Sequence, residues 1–183
     1  MKRFYIDCET TGLDAGTHEI IEICIVVEDI DGEIIDEFHT RIKPQNIEGA
    51  ESKALEVNGY SAEKWFDAVE PSSSVADQII ELLHHPQSSY YQRGLWIGHN
   101  PYFDRRFIDA FLNRYGSSVK KIASMPMLDT KQLSIGLYWP QLLSYSLDSI
   151  RVHLKIESSQ HHSALDDCYM CRRIVNNFIV AKS

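Results

Sequence analysis

No apolar run in this 183-residue sequence approaches the ~18 residues that a membrane-spanning helix needs, the longest candidates being cut by Glu22, Glu28 and Asp29. A signal peptide is lacking too, because the apolar stretch behind Lys2 and Arg3 stops at Asp7. Cysteine is sparse. Four residues outside any small secreted-domain context exclude a disulfide scaffold and fit free thiols in a reducing, cytoplasmic compartment. Positive charge is in deficit: 18 Lys and Arg against 26 Asp and Glu leave a formal net charge of −8. This balance disfavours a protein that coats nucleic acid through a broad basic surface and leaves open an enzyme holding metal ions with clustered carboxylates. Composition of 44% hydrophobic and 24% charged residues also excludes disorder and collagen-like repeats. No internal repeat and no Gly-, Ser- or Pro-rich linker divides the chain, so 1–183 reads as a single domain.

What is present reads as strands first and helices later. Phe4–Glu9, Glu19–Glu28 and Glu33–Ile42 are apolar runs rich in branched residues, the last two joined by Asp29-Ile30-Asp31-Gly32, which has hairpin-turn chemistry. Residues 48–83 are helical in pieces, broken at Asn58-Gly59 and Pro71–Ser74, with Ser74 the expected cap of a Val75–Leu83 helix. A polar loop, His84–Gly94, leads into a short buried strand, Leu95–Gly98, and a helix from Pro101. The stretch through Pro126 and Pro140 carries no clear period, and Ser146–Ile156 and Ala164–Val180 are amphipathic helices. The order implies an α/β fold, a mixed sheet flanked by helices.

Acids stand where a core is expected. Asp7 and Glu9 end the first strand, and an i, i+2 pair points to one face. A strand end emerging into solvent carries such a pair without penalty, and local pattern leaves both readings open. On the helix after Pro101, Asp104 shares a stripe with Ile108, Phe111 and Tyr115 and faces inward, whereas Asp109 falls with Arg105, Arg106 and Asn113. On the last helix Asp167 aligns with Cys171, Ile174 and Phe178, and Asp166 with the more polar Met170, Arg173 and Asn177. An inward acid in a first turn can serve as a helix cap, which explains one such residue more easily than three sites. Brought together, Asp7, Glu9, Asp104 and Asp167 place four negative charges in one pocket. Mg²⁺ and Mn²⁺ are oxygen-seeking remedies for that charge, and two of them balance four carboxylates. Such a pair, ~3.5–4 Å apart, serves phosphodiester cleavage. His162, five residues before Asp167, is the candidate general base, with an unperturbed pKa near ~6.5.

Three segments resemble the exonuclease motifs of the DEDDh 3′→5′ exonucleases, a family that includes the proofreading subunit of bacterial replicative polymerase and ribonuclease T. They are Asp7-Cys-Glu9-Thr10-Thr11-Gly12-Leu13, Gly98-His99-Asn100-Pro-Tyr-Phe103-Asp104 and His162-Ser-Ala-Leu-Asp-Asp167. Lesser matches are Ile42-Lys-Pro44, Ala54–Gly59, Leu128-Asp-Thr130 and Ser146-Leu147. The resemblance spans nearly the whole chain. It implies a ribonuclease H-like fold, two-metal hydrolysis with Asp7, Glu9, Asp104 and Asp167 as ligands, and His162 as the base. It further implies release of nucleoside 5′-monophosphates. The acidic net charge adds a compact grip on a few terminal nucleotides of a single-stranded 3′ end, with DNA taken before RNA as the expected substrate although no residue in the sequence decides between them. Thr10, Thr11, Gly12 and Leu13 would line the pocket of the terminal nucleotide, although the threonines serve equally well as turn residues. His99, Asn100 and Phe103 would stand near the active site. Asn58 occupies a place the family often gives to His, which puts a sugar or base contact in question.

Other features point elsewhere. Cys168-Tyr-Met-Cys171 suggests a zinc half-site or redox pair, but it lacks a second pair and lies within a helix. The basic doublets Arg105-Arg106, Lys120-Lys121 and Arg172-Arg173 read either as phosphate guides or as solvated faces, and Tyr90-Tyr91 and Tyr138-Trp139 as base-stacking or core aromatics. With the last helix reaching close to residue 183, no tail for tethering to a polymerase is expected; association with a polymerase or a homodimer is possible but has no support in the sequence. The rivals to the enzyme reading are a catalytically silent nucleic-acid-binding module on the same fold, an exoribonuclease, and a cysteine-based protein.

Overall fold

The computed structural model describes residues 2–84, 94–122, 125–157 and 163–180. Its centre is a five-stranded sheet in the order β3-β2-β1-β4-β5. The strands are β1 (Arg3–Thr10), β2 (Ile20–Glu28), β3 (Ile34–Arg41), β4 (Leu95–Gly98) and β5 (Met127–Asp129). β1, β2 and β3 pair antiparallel, while β4 and β5 join parallel to β1 and to each other, so the expected mixed sheet is present. The helices are α1 (Ser52–Asn58), α2 (Ser73–Leu83), α3 (Pro101–Asn113), α4 (Val119–Ile122), α5 (Thr130–Tyr138), α6 (Leu147–His153) and α7 (Ala164–Val180). Among the described residues no helix is long and apolar enough to cross a membrane.

The β2–β3 hairpin forms as its sequence dictates: Gly32 takes φ +92°, and the Asp29 carboxylate accepts the N–H groups of Asp31 and Glu33. The cap of α2 differs from expectation. Ser72, not Ser74, accepts the N–H of Val75, because Ser72 holds extended backbone (φ −149°, ψ 164°) and the helix already begins at Ser73. The unread stretch before α6 contains α4, β5 and α5, and Ser146 caps α6.

Both sheet faces are covered. On one, Phe4, Ile6, Ile23 and Ile25 pack against Ile79 of α2 and Phe107 and Phe111 of α3. On the other, Tyr5, Cys24 and Val26 pack under Ala164, Cys168 and Val175 of α7. Every residue of β2 is buried, Glu22 and Glu28 included. Glu28 is held by Arg3 (Nε to Oε1, 2.6 Å), by Arg172 and by the Tyr5 hydroxyl, which ties α7 to β1 and β2. A buried carboxylate needs such partners, since removing one costs about 3–5 kcal/mol. The tie fixes α7, and with it Asp167, against the end of β1.

Candidate active site

β1 carries Asp7 and Glu9 on the face toward α7, and α7 brings Asp167 down to them from its first turn, begun by the Ser163 hydroxyl accepting the N–H of Asp166. Carboxylate oxygens of Asp7, Glu9 and Asp167 lie within 4.8 Å of one another, and all three residues are half-buried. Asp104 reaches the group from the other side of the sheet. Beyond Tyr5, β1 outruns its pairing with β4, and the free N–H of Cys8 donates to Asp104 Oδ1 at 3.0 Å. Gly98 allows this close approach, since a Cβ there would stand 3.0 Å from the Ile6 carbonyl. Asp104 is 2% exposed, as its helical stripe demands. Both α3 and α7 aim their N-terminal ends at the carboxylates, where the helix dipole offsets a part of the repulsion.

The electrostatics remain strained. Burial first, then Asp104, Asp167 and Glu9, push the Asp7 carboxyl well above its usual range. Burial followed by Asp167, Glu22 and Asp104 raises Glu9 to about 8. Burial raises Asp104 to about 7 against the hydrogen bonds that favour its charged form, and burial with Asp166 and Glu22 raises Asp167 to about 6. Among the described residues no Lys, Arg or His forms an ion pair with these four acids. An all-oxygen donor set with these separations fits a hard divalent cation, whose ligand oxygens at ~2.0–2.6 Å stand at most ~4–5 Å apart.

A fifth acid escaped the sequence. Glu22 pairs directly opposite Glu9 across β1 and β2, is 2% exposed, and is held by His39 (2.8 Å) and Arg41 (3.7 Å). Its signal was the two-residue alternation Glu22, Cys24, Val26, Glu28, which sets both glutamates on the site's face of the sheet.

The loop after β1 is built from within. Thr10 donates to the Gly12 carbonyl at 2.8 Å, and the Thr11 hydroxyl accepts the N–H of Glu19 at 2.9 Å, so both close the turn. Gly12 is pressed by His18, whose ring atoms would lie 2.5 Å from a Cβ at that position. Leu13 stands at the rim, 68% exposed. Asn58 is buried at the end of α1, its amide donating to the Thr10 carbonyl and its oxygen accepting from Tyr60 N–H, so it braces the loop. Beside Asp104, Asn100 takes the left-handed conformation (φ 66°) and donates its N–H to Asp129 Oδ1, while Phe103 packs against Phe107 with ring centroids 4.8 Å apart and planes tilted by 45°. His99 Nδ1 lies 3.1 Å from the Thr130 hydroxyl, and burial lowers its pKa. His162, His161, Tyr90 and Tyr91 lie outside the described residues. The four cysteines are buried and free, and burial raises the thiols of Cys8, Cys168 and Cys171, which keeps them protonated and unreactive.

A family model described as exonuclease matches residues 4–175. The PolC-type DNA polymerase III of Thermotoga petrophila is 33% identical over 178 residues, which cover 95% of this chain and 12% of that polymerase. This chain thus spans about an eighth of the length of that relative. Ribonuclease T of Actinobacillus pleuropneumoniae is 24% identical over 167 residues, 88% of this chain and 76% of the relative. Among solved structures, E. coli Exonuclease I in complex with a dT13 oligonucleotide superposes with a TM-score of 0.81 at 16% identity, over 96% of this chain and 40% of the other. That likeness shows the shared ribonuclease H-like fold.

Proposed function

The chain belongs to the exonuclease family, and on that premise we propose that it is a metal-dependent 3′→5′ exonuclease acting on single-stranded ends, DNA before RNA, and releasing nucleoside 5′-monophosphates. The observation that carries the reading is the convergence of Asp7, Glu9 and Asp167 within 4.8 Å beside the buried Asp104, with no cation of the described chain paired to them. Asp7, Glu9, Asp104 and Asp167 would hold two divalent cations, Mg²⁺ or Mn²⁺, which when bound supply Lewis-acid polarisation of the scissile phosphate and of water. His162, which matches the general-base position of the motif that ends at Asp167, would take the proton of the attacking water. The Thr10–Leu13 loop, held rigid by Asn58, Glu51 and His18, offers the surface for the terminal base and sugar. DNA is favoured by the higher identity to the PolC-type polymerase.

A silent binding module has no use for three half-buried acids and a fully buried fourth that repel one another, and buried thiols offer nothing to a cysteine-based reading. The test is digestion of 5′-end-labelled DNA and RNA, single- and double-stranded, with Mg²⁺, Mn²⁺ or EDTA. We expect single strands to shorten from the 3′ end with mononucleotide release, abolished by EDTA. Faster loss of RNA than DNA reassigns the substrate; intact strands in every metal reject the activity.

A further inference from the structure

The outer side of α3 is chemically the reverse of its inner side. At 3.6 residues per turn, Tyr102, Arg105, Arg106 and Asp109 cluster away from the inward Asp104. With Lys120 of α4 they line a cavity of about 390 Å³. Two basic doublets that are separate in the sequence, Arg105-Arg106 and Lys120-Lys121, are thus joined. The join is made by Asp109, whose carboxylate accepts the N–H of Val119 at 2.8 Å and the Asn113 amide at 3.4 Å, so it docks α4 on α3. Among the described residues none of the four cations forms an ion pair. Among the described residues Arg105 makes one long contact, 3.7 Å to Met127 Sδ. In a protein of net charge −8, three cations, Arg105, Arg106 and Lys120, against the one acid Asp109 around a single hollow are a local inversion of sign. In their midst the Tyr102 ring is 63% exposed.

We propose that this patch is a subsite for the sugar-phosphate backbone of a single strand whose 3′ end lies at the carboxylates, a proposal that rests on the exonuclease reading. Guanidinium groups grip phosphate in bidentate fashion, Lys120 adds a point charge, and the exposed ring gives any base a face to stack on. Asp104 and Tyr102 stand in the first turn of α3 on opposite sides of a helix ~10–12 Å across, so a strand reaching the patch passes around half its girth, roughly 15–20 Å, several nucleotides from the cleaved end. The grip lacks base-edge readers, so it is indifferent to sequence.

The test is fluorescence anisotropy with 5′-fluorescein-labelled dT20 and rU20 in EDTA, where turnover stops. The variants are R105A/R106A/K120A and Tyr102→Ala, with Tyr102→Phe as the stacking control. We expect the triple variant to weaken binding of at least one strand tenfold or more. Its log K against log salt should flatten by about 2, at ~0.7 per lost single-strand phosphate contact. Tyr102→Ala should lose about fivefold or more while Tyr102→Phe does not. In Mn²⁺ the triple variant should show a raised KM on dT20 and wild-type release from a dinucleotide, which is too short to reach the patch. Melting temperatures should stay close to wild type, since Tyr102, Arg106 and Lys120 are exposed and the half-buried Arg105 makes a long contact to Met127 Sδ. Affinity of the triple variant within twofold of wild type on both strands, or an unchanged salt slope, overturns the subsite. Patch-dependent binding by a wild type that releases no nucleotide upholds the subsite and removes the nuclease reading; full digestion with patch-independent binding does the reverse.

Discussion

The main-chain N–H of Cys8 donates to Asp104 Oδ1 at 3.0 Å, joining β1 to α3 at the one residue that separates Asp7 from Glu9. The bond substitutes for a sheet partner that β4 no longer provides. Through it a carboxylate that is 2% exposed is held beside a half-buried acidic group on the neighbouring strand. Folding this chain therefore concentrates negative charge at one end of the sheet, and the consequences of that concentration can be measured.

Neutralising one member should separate activity from stability. Asp7→Asn and Asp167→Asn are expected to lower nucleotide release by at least ~10²–10³, the scale on which a lost electrostatic stabiliser registers. In EDTA the same variants should melt higher than wild type, because desolvation and like-charge repulsion are relieved. Calorimetric melting beside a release assay checks both; full activity in either variant removes it from the ligand set.

The pH dependence of the metal-free protein has a definite sign. An acid whose folded pKa exceeds its unfolded one keeps its proton longer in the native state, so stability falls as pH rises. The loss begins near the unfolded carboxylate value, ~4, and runs through about 6 for Asp167, about 7 for Asp104 and about 8 for Glu9. Melting in EDTA should drop between pH 5 and pH 8, and Mn²⁺ should oppose the drop. At a hundredfold excess over Kd the gain should be roughly 5–10 °C, larger at pH 8 than at pH 5. A melting temperature that climbs across that range in EDTA contradicts the repulsion.

His162→Ala is expected to slow turnover ~10²–10⁴-fold, the usual worth of a positioned base. The Mn²⁺-induced rise in melting temperature should persist in that variant, since the four carboxylates remain. A variant as fast as wild type means that the base lies elsewhere.

Gly12→Ala should damage the loop without touching a carboxylate. A Cβ there meets the His18 ring at 2.5 Å, so either the ring or the loop must move. We expect a raised KM for oligonucleotides with Mn²⁺ stabilisation retained. Partial rescue should follow in Gly12→Ala/His18→Ala, where the obstructing ring is gone; the absence of any defect in the single variant shows that the loop tolerates the shift.

The inward acids were legible because helical periodicity compares a residue with its own neighbours: Asp104 and Asp167 stood in stripes of Ile, Phe and Cys. The antiparallel β1–β2–β3 start was legible from branched runs and from Gly32. Glu22 and Glu28 were not recognised as buried, because in β2, covered on both faces, they looked like interruptions of an apolar run; only the strand register shows that each meets a cation. β5 has three residues, too few to show a period, and α5 follows it directly behind an Asp129 cap. The roles of Thr10 and Thr11, open in the sequence, become turn bonds once the Gly12 and Glu19 partners are in place. The α3–α4 basic patch exists only in three dimensions, since Asp109 must dock α4 to create it.

Titration calorimetry of Mn²⁺ into wild-type protein and into Asp7→Asn at pH 8, in two buffers of different ionisation enthalpy, bears most directly on the carboxylate centre. We expect the wild type to bind up to two ions with release of protons from the raised acids, and the variant to bind far more weakly. Absence of binding to the wild type at millimolar Mn²⁺, or equal binding by the variant, would contradict a shared metal centre at Asp7, Glu9, Asp104 and Asp167.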